Sequence, residues 1–490
     1  MGVHAKFRIA MNLPNFKKWG WLCIILATTL NVSTLAEGPS AEVELLPPLD
    51  SESVEKADNE KSKVLTLFQA EELALKNSPT LQSSRYSAMV RHEQLGQWLH
   101  NIYPQVSVSA GLSHSGTIDS GSAGGRSISL LTTSVTARQS LLDFSRRPRL
   151  RKAELAESSA LADLESDRQD LLLNVRKAWF TCYIDQDLLD IARETANNRA
   201  VRLNEAEQHY KNGLKAKSDV VSAQADLAEA QYKVIEKETR LKLDWVSLNT
   251  TMGLAESEPY RLVLDPYWED FVNSGSESFV ATALSNRPEL LDLQAQLKSA
   301  LYELEIINSE KYPTVDLSGS LSGAGSITPF TVSWSLGVSL NWTIFDGFLR
   351  KYEKSAQKLQ ARVIAQNFEA QRIKIYQEVK SAEVSLLQSQ AAITSAEYAL
   401  ASAKEKYRLA SARYKVGVSD SVELSNAELT LSQAQTDYAN ARNNLRLAKA
   451  SMIRALGIDD MDNLPTDNKE IILDTLPDIP APYSPGGEKE

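Results

Sequence analysis

The stretch Phe330–Phe345 reads FTVSWSLGVSLNWTIF and divides into two sets of residues that alternate along the chain. One set is apolar and contains Phe330, Val332, Trp334, Leu336, Val338, Leu340, Trp342 and Ile344. The other set is small or polar and contains Thr331, Ser333, Ser335, Gly337, Ser339, Asn341 and Thr343. Because successive side chains of a β-strand point to opposite faces, the pattern predicts a strand with one apolar and one polar face.

The length of this alternation favours a strand of a transmembrane β-barrel, whose outer face meets hydrocarbon and whose inner face meets water. Trp334 and Trp342 are separated by about 20 Å in height if such a strand is tilted. Both side chains can therefore lie in the aromatic girdles at the two membrane surfaces. A half-buried amphipathic strand of a periplasmic sheet is the alternative interpretation of this stretch taken alone.

Composition narrows the class of protein. The chain has 490 residues, of which 43% are apolar but only 7% aromatic, and this usage favours long helices over a compact enzyme. The net charge of -10 disfavours a nucleic-acid partner. Beyond the N-terminal region no segment is continuously apolar for the ~20 residues that a spanning helix needs, so a membrane protein of this sequence would have to be a barrel.

The two ends of the chain differ from the rest. Residues 1–36 combine basic residues, an apolar run over 19–30 and a Thr-Leu-Ala sequence, which predicts a cleaved secretory signal peptide. A membrane-anchoring helix is the alternative, but the apolar run is shorter than the ~20 residues needed. Residues 37–63 are predicted to form a disordered acidic leader, and 461–490 a disordered Pro-rich tail.

Between these ends one pattern occurs twice, over 64–254 and 286–460, and it decides the fold. The landmarks Asn77-Ser78-Pro79 and Tyr103-Pro104 recur 209 residues later as Asn286-Arg287-Pro288 and Tyr312-Pro313. Two strands joined by a Gly/Ser-rich link are predicted in each copy. Their expected bounds are about 105–115 and 128–142 in the first copy, and about 314–322 and 330–345 in the second. Leu130 and Leu131 break the alternation, which indicates a bulge there.

Each copy then becomes helical up to Gly213 or Gly417, and helical again up to Gly253 or Gly457. The first of these segments has some 65 residues, which at ~1.5 Å per residue makes a rod of about 100 Å. Apolar residues recur in alternating steps of three and four, which is typical of coiled-coil packing. Polar Asp185 and Arg199 interrupt this seam in the first copy. Cys182 falls on the seam, and we interpret it as a small buried residue rather than a nucleophile.

The helices reverse at the repeated Tyr210-Lys211-Asn212-Gly213 and Tyr414-Lys415-Val416-Gly417, where glycine supplies a left-handed backbone. Over about 64–460 the chain resembles the TolC family of outer-membrane efflux and secretion channels. The resemblance implies a mainly α protein with a membrane β-barrel. Three chains would form a twelve-stranded barrel continuous with a periplasmic α-helical barrel. Residues 255–285 resemble the equatorial connection of the family, and a plain interdomain linker is the alternative.

The resemblance also implies the function, which is the outer-membrane exit duct of a tripartite export system. The implied partners are two further copies of the chain, a periplasmic adaptor (membrane fusion) protein, an inner-membrane transporter of the ABC type and outer-membrane lipid. We expect type I protein secretion, and multidrug efflux is the alternative. A coiled-coil surface stalk or adhesin explains the heptads but not the two strand hairpins. We expect no enzyme activity, cofactor or metal, because the histidines lack metal-ligand spacing.

Site residues follow from the same resemblance. Tyr414 and Asp219 occupy positions of the network that closes the periplasmic end in the family, whereas the expected arginine is replaced by Ser419. Glu423 and Asn426 occupy the positions of two constricting aspartates.

Two further groups of residues complete the prediction. The tips that would dock the adaptor contain Gly213, Leu214, Gly417 and Val418. Trp334 and Trp342 form the expected membrane girdle.

Overall fold

In the computed structural model of the protein, the described residues are 63–117, 126–213, 216–255, 259–264, 268, 276–325, 330–416 and 418–459. The predicted signal peptide and the predicted tail lie outside these ranges. The tip residues Leu214 and Gly417 also lie outside them, and so does the predicted leader except for its last residue. That last residue, Lys63, begins the first strand instead.

The first copy contains β1 (Lys63–Thr66), α1 (Leu67–Asn77), α2 (Pro79–Leu99), β2 (Gln105–Thr117), β3 (Arg126–Leu142), α3 (Arg146–Lys211) and α4 (Lys217–Thr251). Strand β4 (Tyr260–Val263) lies between the copies and pairs in parallel with β1. The second copy contains α5 (Ser276–Asn286), α6 (Pro288–Ser309), β5 (Thr314–Gly325), β6 (Phe330–Asn341), α7 (Leu349–Lys415) and α8 (Ser421–Leu456). The chain is therefore mainly helical.

The repeated Asn-x-Pro landmark marks a break between two helices. Asn77 ends α1, and the Ser78 hydroxyl accepts a hydrogen bond from the Leu81 amide at 3.4 Å. Pro79 is the first residue of α2, where a missing N–H leaves no helical hydrogen bond unmade. Pro288 begins α6 in the same way.

The repeated glycines explain where the returning helices end. Gly253 follows α4 with a φ of +76°, and a Cβ there would lie 2.7 Å from the backbone oxygen of Asn77. Gly457 follows α8 with a φ of +69°, and a Cβ there would lie 3.1 Å from the backbone of Asn286. In both copies the end of the long return helix thus packs directly on the Asn-x-Pro break.

Four strands form one antiparallel sheet in the order β2-β3-β5-β6. On one face, hydroxyls of neighbouring strands pair with each other at 2.6 to 2.9 Å, as Ser107–Thr136, Ser109–Ser134, Ser320–Ser335 and Ser322–Ser333. On the other face the large apolar side chains of β6 are exposed, with Trp334 79% accessible. The sheet therefore has one hydroxyl-lined and one apolar face.

Two details of the strands differ from prediction. Strand β6 ends at Asn341, so Trp342 lies just beyond it. Asn341 pairs with Thr314, the first residue of β5, and the residue before it, Pro313, has no N–H to continue the ladder. The pairing of β2 with β3 is continuous past Leu130 and Leu131, and the register shift lies instead between Ser140 and Leu142.

The largest apolar core lies where α1, α5 and the two small strands meet the long helices. Phe180 packs edge-on against Trp268 at 5.1 Å and against Trp179 at 5.5 Å. Cys182 is fully buried in this core, and burial raises the pKa of its thiol, which keeps it protonated and unreactive. The side chain acts as a small apolar residue.

We expect Gly253→Ala to destabilise the protein more than Gly213→Ala. Both residues have positive φ, but nothing lies within 4 Å of a Cβ at Gly213, whereas backbone of Asn77 lies 2.7 Å from one at Gly253. Gly213→Ala should cost about 1 kcal/mol for the left-handed backbone alone. Thermal unfolding followed by circular dichroism in detergent measures the difference, and equal midpoints would show that the Gly253 contact is dispensable.

Candidate functional site

The candidate site lies at the end of the long helices farthest from the sheet. Helices α3 and α4 are joined by a short turn at Gly213, whose φ is +73°. Helices α7 and α8 are joined by a second turn, after which the Asp420 carboxylate accepts a hydrogen bond from the Glu423 amide at 2.9 Å and caps α8. The two helical hairpins thus end in two tight tips.

The predicted gate residues lie near these tips. Asp219 is half-buried in the first turn of α4, and its amide donates to the Ala216 carbonyl at 3.1 Å. Tyr414 lies in the last turn of α7. None of the hydrogen bonds among described residues joins these two side chains in the single chain, so their link stays a prediction.

Glu423 and Asn426, the predicted constriction residues, form hydrogen bonds within the second hairpin. Glu423 accepts a hydrogen bond from the Ser419 hydroxyl, and its other carboxylate oxygen lies 3.4 Å from Arg413 Nη1. Its contacts are therefore local to the second tip. Asn426 is exposed, and its backbone oxygen accepts from the Thr430 hydroxyl at 2.7 Å. Neither side chain contacts the first hairpin among the described contacts.

A buried ionic cluster joins the two hairpins where the sequence predicted only an interrupted seam. Arg199 of α3 donates from Nη1 to Asp226 of α4 at 2.7 Å and to the Ser425 hydroxyl of α8 at 2.8 Å. Its Nε lies 3.2 Å from Glu428 Oε2 of α8, and Arg202 pairs with the same carboxylate. We call Arg199, Arg202, Asp226 and Glu428 the hairpin latch.

Burial makes the hairpin latch electrostatically costly to open. The Glu428 side chain is only 4% exposed and that of Arg199 only 11%. Burial raises the pKa of the Glu428 carboxyl, while Arg202 and Arg199 oppose that rise. Separating α8 from α3 would break both ion pairs of Glu428 but would return its carboxylate to water, whereas loss of an arginine with the helices in place would leave the buried carboxylate short of counterions. The latch therefore ties the second hairpin to the first.

A second polar group lies nearer the core, between α3 and α4. Arg240 Nε lies 3.5 Å from the Asp185 carboxylate and 3.2 Å from that of Asp244. Burial, and then the neighbouring Asp185, raise the pKa of Asp244 to about 7. Asp185 and Arg199 are the two polar residues that interrupt the predicted apolar seam of the first copy. In the structure both of them form ion pairs. Glu428 carried no comparable signal, because an isolated glutamate on a helix is usually solvated.

The second tip also presents exposed apolar side chains. Val418 is 78% accessible, and Val416 and Val422 beside it are also exposed. These residues form a small apolar surface at the end of the hairpin.

Within the described ranges no group of three His, Cys, Asp or Glu side chains is arranged to hold a metal ion. Among the described helices, none is both long and apolar enough to cross a bilayer.

Comparison with known proteins identifies the chain's relatives. The family model described as "Outer membrane efflux protein" matches residues 71–254 and 280–458. Outer membrane protein TolC of Escherichia coli is 24% identical over 86% of this chain and 89% of that protein. The probable efflux pump outer membrane protein TtgC of Pseudomonas putida is 22% identical over 59% of this chain and 60% of that protein.

A solved structure has the same fold. The CmeC outer membrane channel of Campylobacter jejuni superimposes with a TM-score of 0.69 at 17% identity, over 80% of this chain and 85% of that one.

We expect Arg199→Ala to loosen the second hairpin. The change leaves the buried Glu428 with Arg202 alone, and removing one partner of a buried ion pair costs about 3 kcal/mol or more. Hydrogen exchange of the α8 segment around Glu428, followed by mass spectrometry, should rise.

Arg408→Ala is the matched control, because Arg408 pairs with Glu405 at 2.7 Å on an exposed face of α7. We expect no measurable change there. Equal exchange in the two variants would mean that the hairpin latch does not hold α8.

Proposed function

Because the chain belongs to the outer membrane efflux protein family, we propose that it is the exit duct of a tripartite export system. As a member of that family it is an outer-membrane protein with a helical periplasmic tunnel. The proposal is supported most directly by the architecture of the chain. A sheet with an exposed apolar face is joined to helical hairpins that are about 100 Å long. The proposed role is transport and not catalysis.

Closure of the barrel requires other chains. Strands β2 and β6 are the outer strands of the four-stranded order, and no described strand of this chain pairs with the outer edge of either one. Unpaired backbone groups in hydrocarbon cost several kcal/mol each, so an open sheet cannot span the membrane. A homotrimer, which gives a closed barrel of twelve strands, would remove every open edge.

Cargo would pass along the hydroxyl face of the sheet. Its paired Ser and Thr side chains carry no net charge and satisfy one another's hydrogen bonds. The register places Arg138 and Asp316 on the same face, one charge of each sign, so the lining is mainly polar and has no large charge of one sign that would retain a passing chain. This favours type I protein secretion, in which an ABC-type transporter delivers polypeptide through an adaptor.

Multidrug efflux is the second candidate. It is favoured by the relative that is described as a probable efflux pump outer membrane protein. Both candidates use the same duct and differ in the transporter that feeds it.

The periplasmic end would then be the gate. The hairpin latch holds α8 against α3, and the predicted contact of Tyr414 with Asp219 would add a hydrogen bond nearer the tips. Opening requires the second hairpin to move away from the first, so it requires these polar contacts to separate. A periplasmic adaptor that docks on the two tips, at Gly213 and Leu214 and at Gly417 and Val418, would supply the binding energy.

Val338→Arg and Ser339→Arg test the two faces of the proposed barrel. Val338 lies on the exposed apolar face of β6, so an arginine there should cost roughly 2 to 4 kcal/mol near the middle of the bilayer. Ser339 points to the opposite face, where an arginine should narrow the channel. We expect a lower yield of detergent-stable trimer for Val338→Arg, and a normal yield with reduced single-channel conductance for Ser339→Arg.

Equal assembly defects in the two variants would refute the assignment of the faces. The two positions are adjacent in sequence and the introduced residue is the same, so each variant is the control for the other.

Deletion of the gene in its native bacterium tests the export role and its cargo. Type I secretion predicts that particular proteins disappear from the culture medium while inhibitory concentrations of dyes and detergents stay unchanged. Multidrug efflux predicts that the proteins of the medium stay unchanged while the inhibitory concentrations of dyes and detergents fall. Proteomics of the medium and growth inhibition measure the two outcomes.

Complementation with Val418→Asp tests the docking tip in the same strain. We expect this variant to conduct like wild type in planar bilayers but not to restore export. Docking of the adaptor would bury the introduced carboxylate, so the substitution should prevent docking alone. Export restored to the wild-type level would contradict the docking role of Val418.

A further inference from the structure

Two aspartates meet inside the first hairpin, where the seam between α3 and α4 is otherwise apolar. Asp185 of α3 and Asp244 of α4 are each only 8% exposed. On its own helix each aspartate lies three residues after one buried apolar residue and four before the next, and these neighbours are Cys182, Leu189, Leu241 and Leu248. Both carboxyl groups therefore occupy positions that coiled-coil packing normally gives to apolar side chains.

The pair has more negative charge than its surroundings balance. Arg240 Nε lies 3.5 Å from the Asp185 carboxylate and 3.2 Å from that of Asp244. The Arg240 side chain is 60% exposed, so water screens much of its charge. The neighbouring Cys182 thiol supplies no positive charge. Two ionised carboxylates would thus share one hydrated guanidinium inside a seam of low dielectric constant, which is unfavourable.

The other helix packed against α3 carries cations, but they act elsewhere. Arg442 and Arg446 of α8 act on Asp187. Asp187 is two residues from Asp185 and so lies on the opposite side of α3. Among the described residues, the charges that act most strongly on Asp244 belong to Asp185 and Arg240, on α3 and α4 themselves. The excess negative charge of the pair is therefore most readily removed by a proton.

The contact between the two carboxyl groups also requires a proton. Asp185 and Asp244 are joined by a hydrogen bond, and ionised carboxylates can only accept hydrogen bonds, so one of the two must be protonated to donate. Burial, and then this hydrogen bond, raise the pKa of Asp244 to about 7. The proton is thus held at pH values at which an exposed aspartate has already lost it.

We propose that Asp185 and Asp244 form a proton clamp, a carboxyl–carboxylate pair that holds α3 against α4 while it carries one proton and loosens the first hairpin when that proton is lost. The clamp lies about 21 Å along α3 from Arg199 of the hairpin latch, which joins the same two helices through Asp226. The inference goes beyond the proposed function and does not depend on it, because it requires only the packing of α3 on α4.

The direction of the pH dependence follows from the raised pKa. When the helices separate, Asp244 returns to water, where an aspartate has a pKa of about 4. The closed hairpin therefore binds a proton that the open hairpin releases. The stabilisation is complete below the ordinary pKa of aspartate and is lost as pH rises through the pKa of the clamp, about 7. The equilibrium constant for opening should thus rise roughly tenfold between about pH 6 and pH 8 and then level off.

Cys182 provides a native probe of this opening, because its thiol is fully buried one helical turn from Asp185. The full-length chain, purified in detergent, is treated with N-ethylmaleimide, and mass spectrometry of its peptides assigns the modification to Cys182. The rate is divided by the rate in denaturant at the same pH, which removes the effect of pH on the thiol itself. We expect this ratio to rise roughly tenfold from about pH 6 to pH 8 in wild type.

Asp244→Asn tests the mechanism, because an amide can donate the hydrogen bond of the protonated acid but cannot lose a proton in this range. The ratio should stay at its low value at both pH values. Asp185→Asn provides the same test if the first variant fails to fold. Asp437→Asn is the matched control, because Asp437 is exposed on α8 and accepts a hydrogen bond from Gln433 at 2.9 Å. This control should keep the tenfold rise of wild type.

Each other outcome would contradict the proton clamp. A wild-type ratio that is equal at the two pH values would overturn it. An equal rise in wild type and Asp244→Asn would show that another group carries the response, and loss of the rise in Asp437→Asn would show that net charge controls it. Failure of both asparagine variants to fold would also overturn the clamp, because an amide should hold the helices as the protonated acid does.

Discussion

The unpaired edges of a four-stranded sheet are the constraint on which the rest of this structure depends. A backbone N–H or carbonyl that faces hydrocarbon has no water to bond, so each edge in a bilayer must meet another strand. Strands β2 and β6 present such edges in the single chain. Assembly with further copies is therefore part of the proposed fold itself, and the stability of the membrane portion cannot be separated from the association of the chains.

The internal repetition also determines how the long helices are held in position. A helix of some 66 residues buries only a narrow stripe, so its position depends on what holds its ends. At the core end, each return helix stops at a glycine that touches the Asn-x-Pro break of its own copy. At the tip end, Arg199 and its partners tie α3, α4 and α8 together. The apolar end is fixed by close backbone packing, and the tip end is held by charges that a binding partner could separate.

These two kinds of attachment suit the proposed duct, which would open at its periplasmic end only. Close packing of backbone on backbone has no alternative arrangement of similar energy, because any displacement leaves a void. Ionic contacts at a partly hydrated tip can instead be exchanged for contacts with water or with an adaptor.

The sequence by itself determined the four strands of the antiparallel sheet, the long helices and their repetition, because each rests on a local period or on a turn residue. The short strands β1 and β4 were not predicted, because each has only four residues and forms by pairing with the other. The alternation from Phe330 onward requires only that neighbouring side chains face opposite ways, and glycines such as Gly213 mark places where other residues are strained. Only the tertiary structure decided which polar residues meet. Arg199 and Glu428 are more than two hundred positions apart, and nothing local to either one specifies the other. The end of β6 before Trp342 likewise depends on the neighbouring segment, because the residue before the first residue of β5 is Pro313, which has no N–H to donate to the ladder.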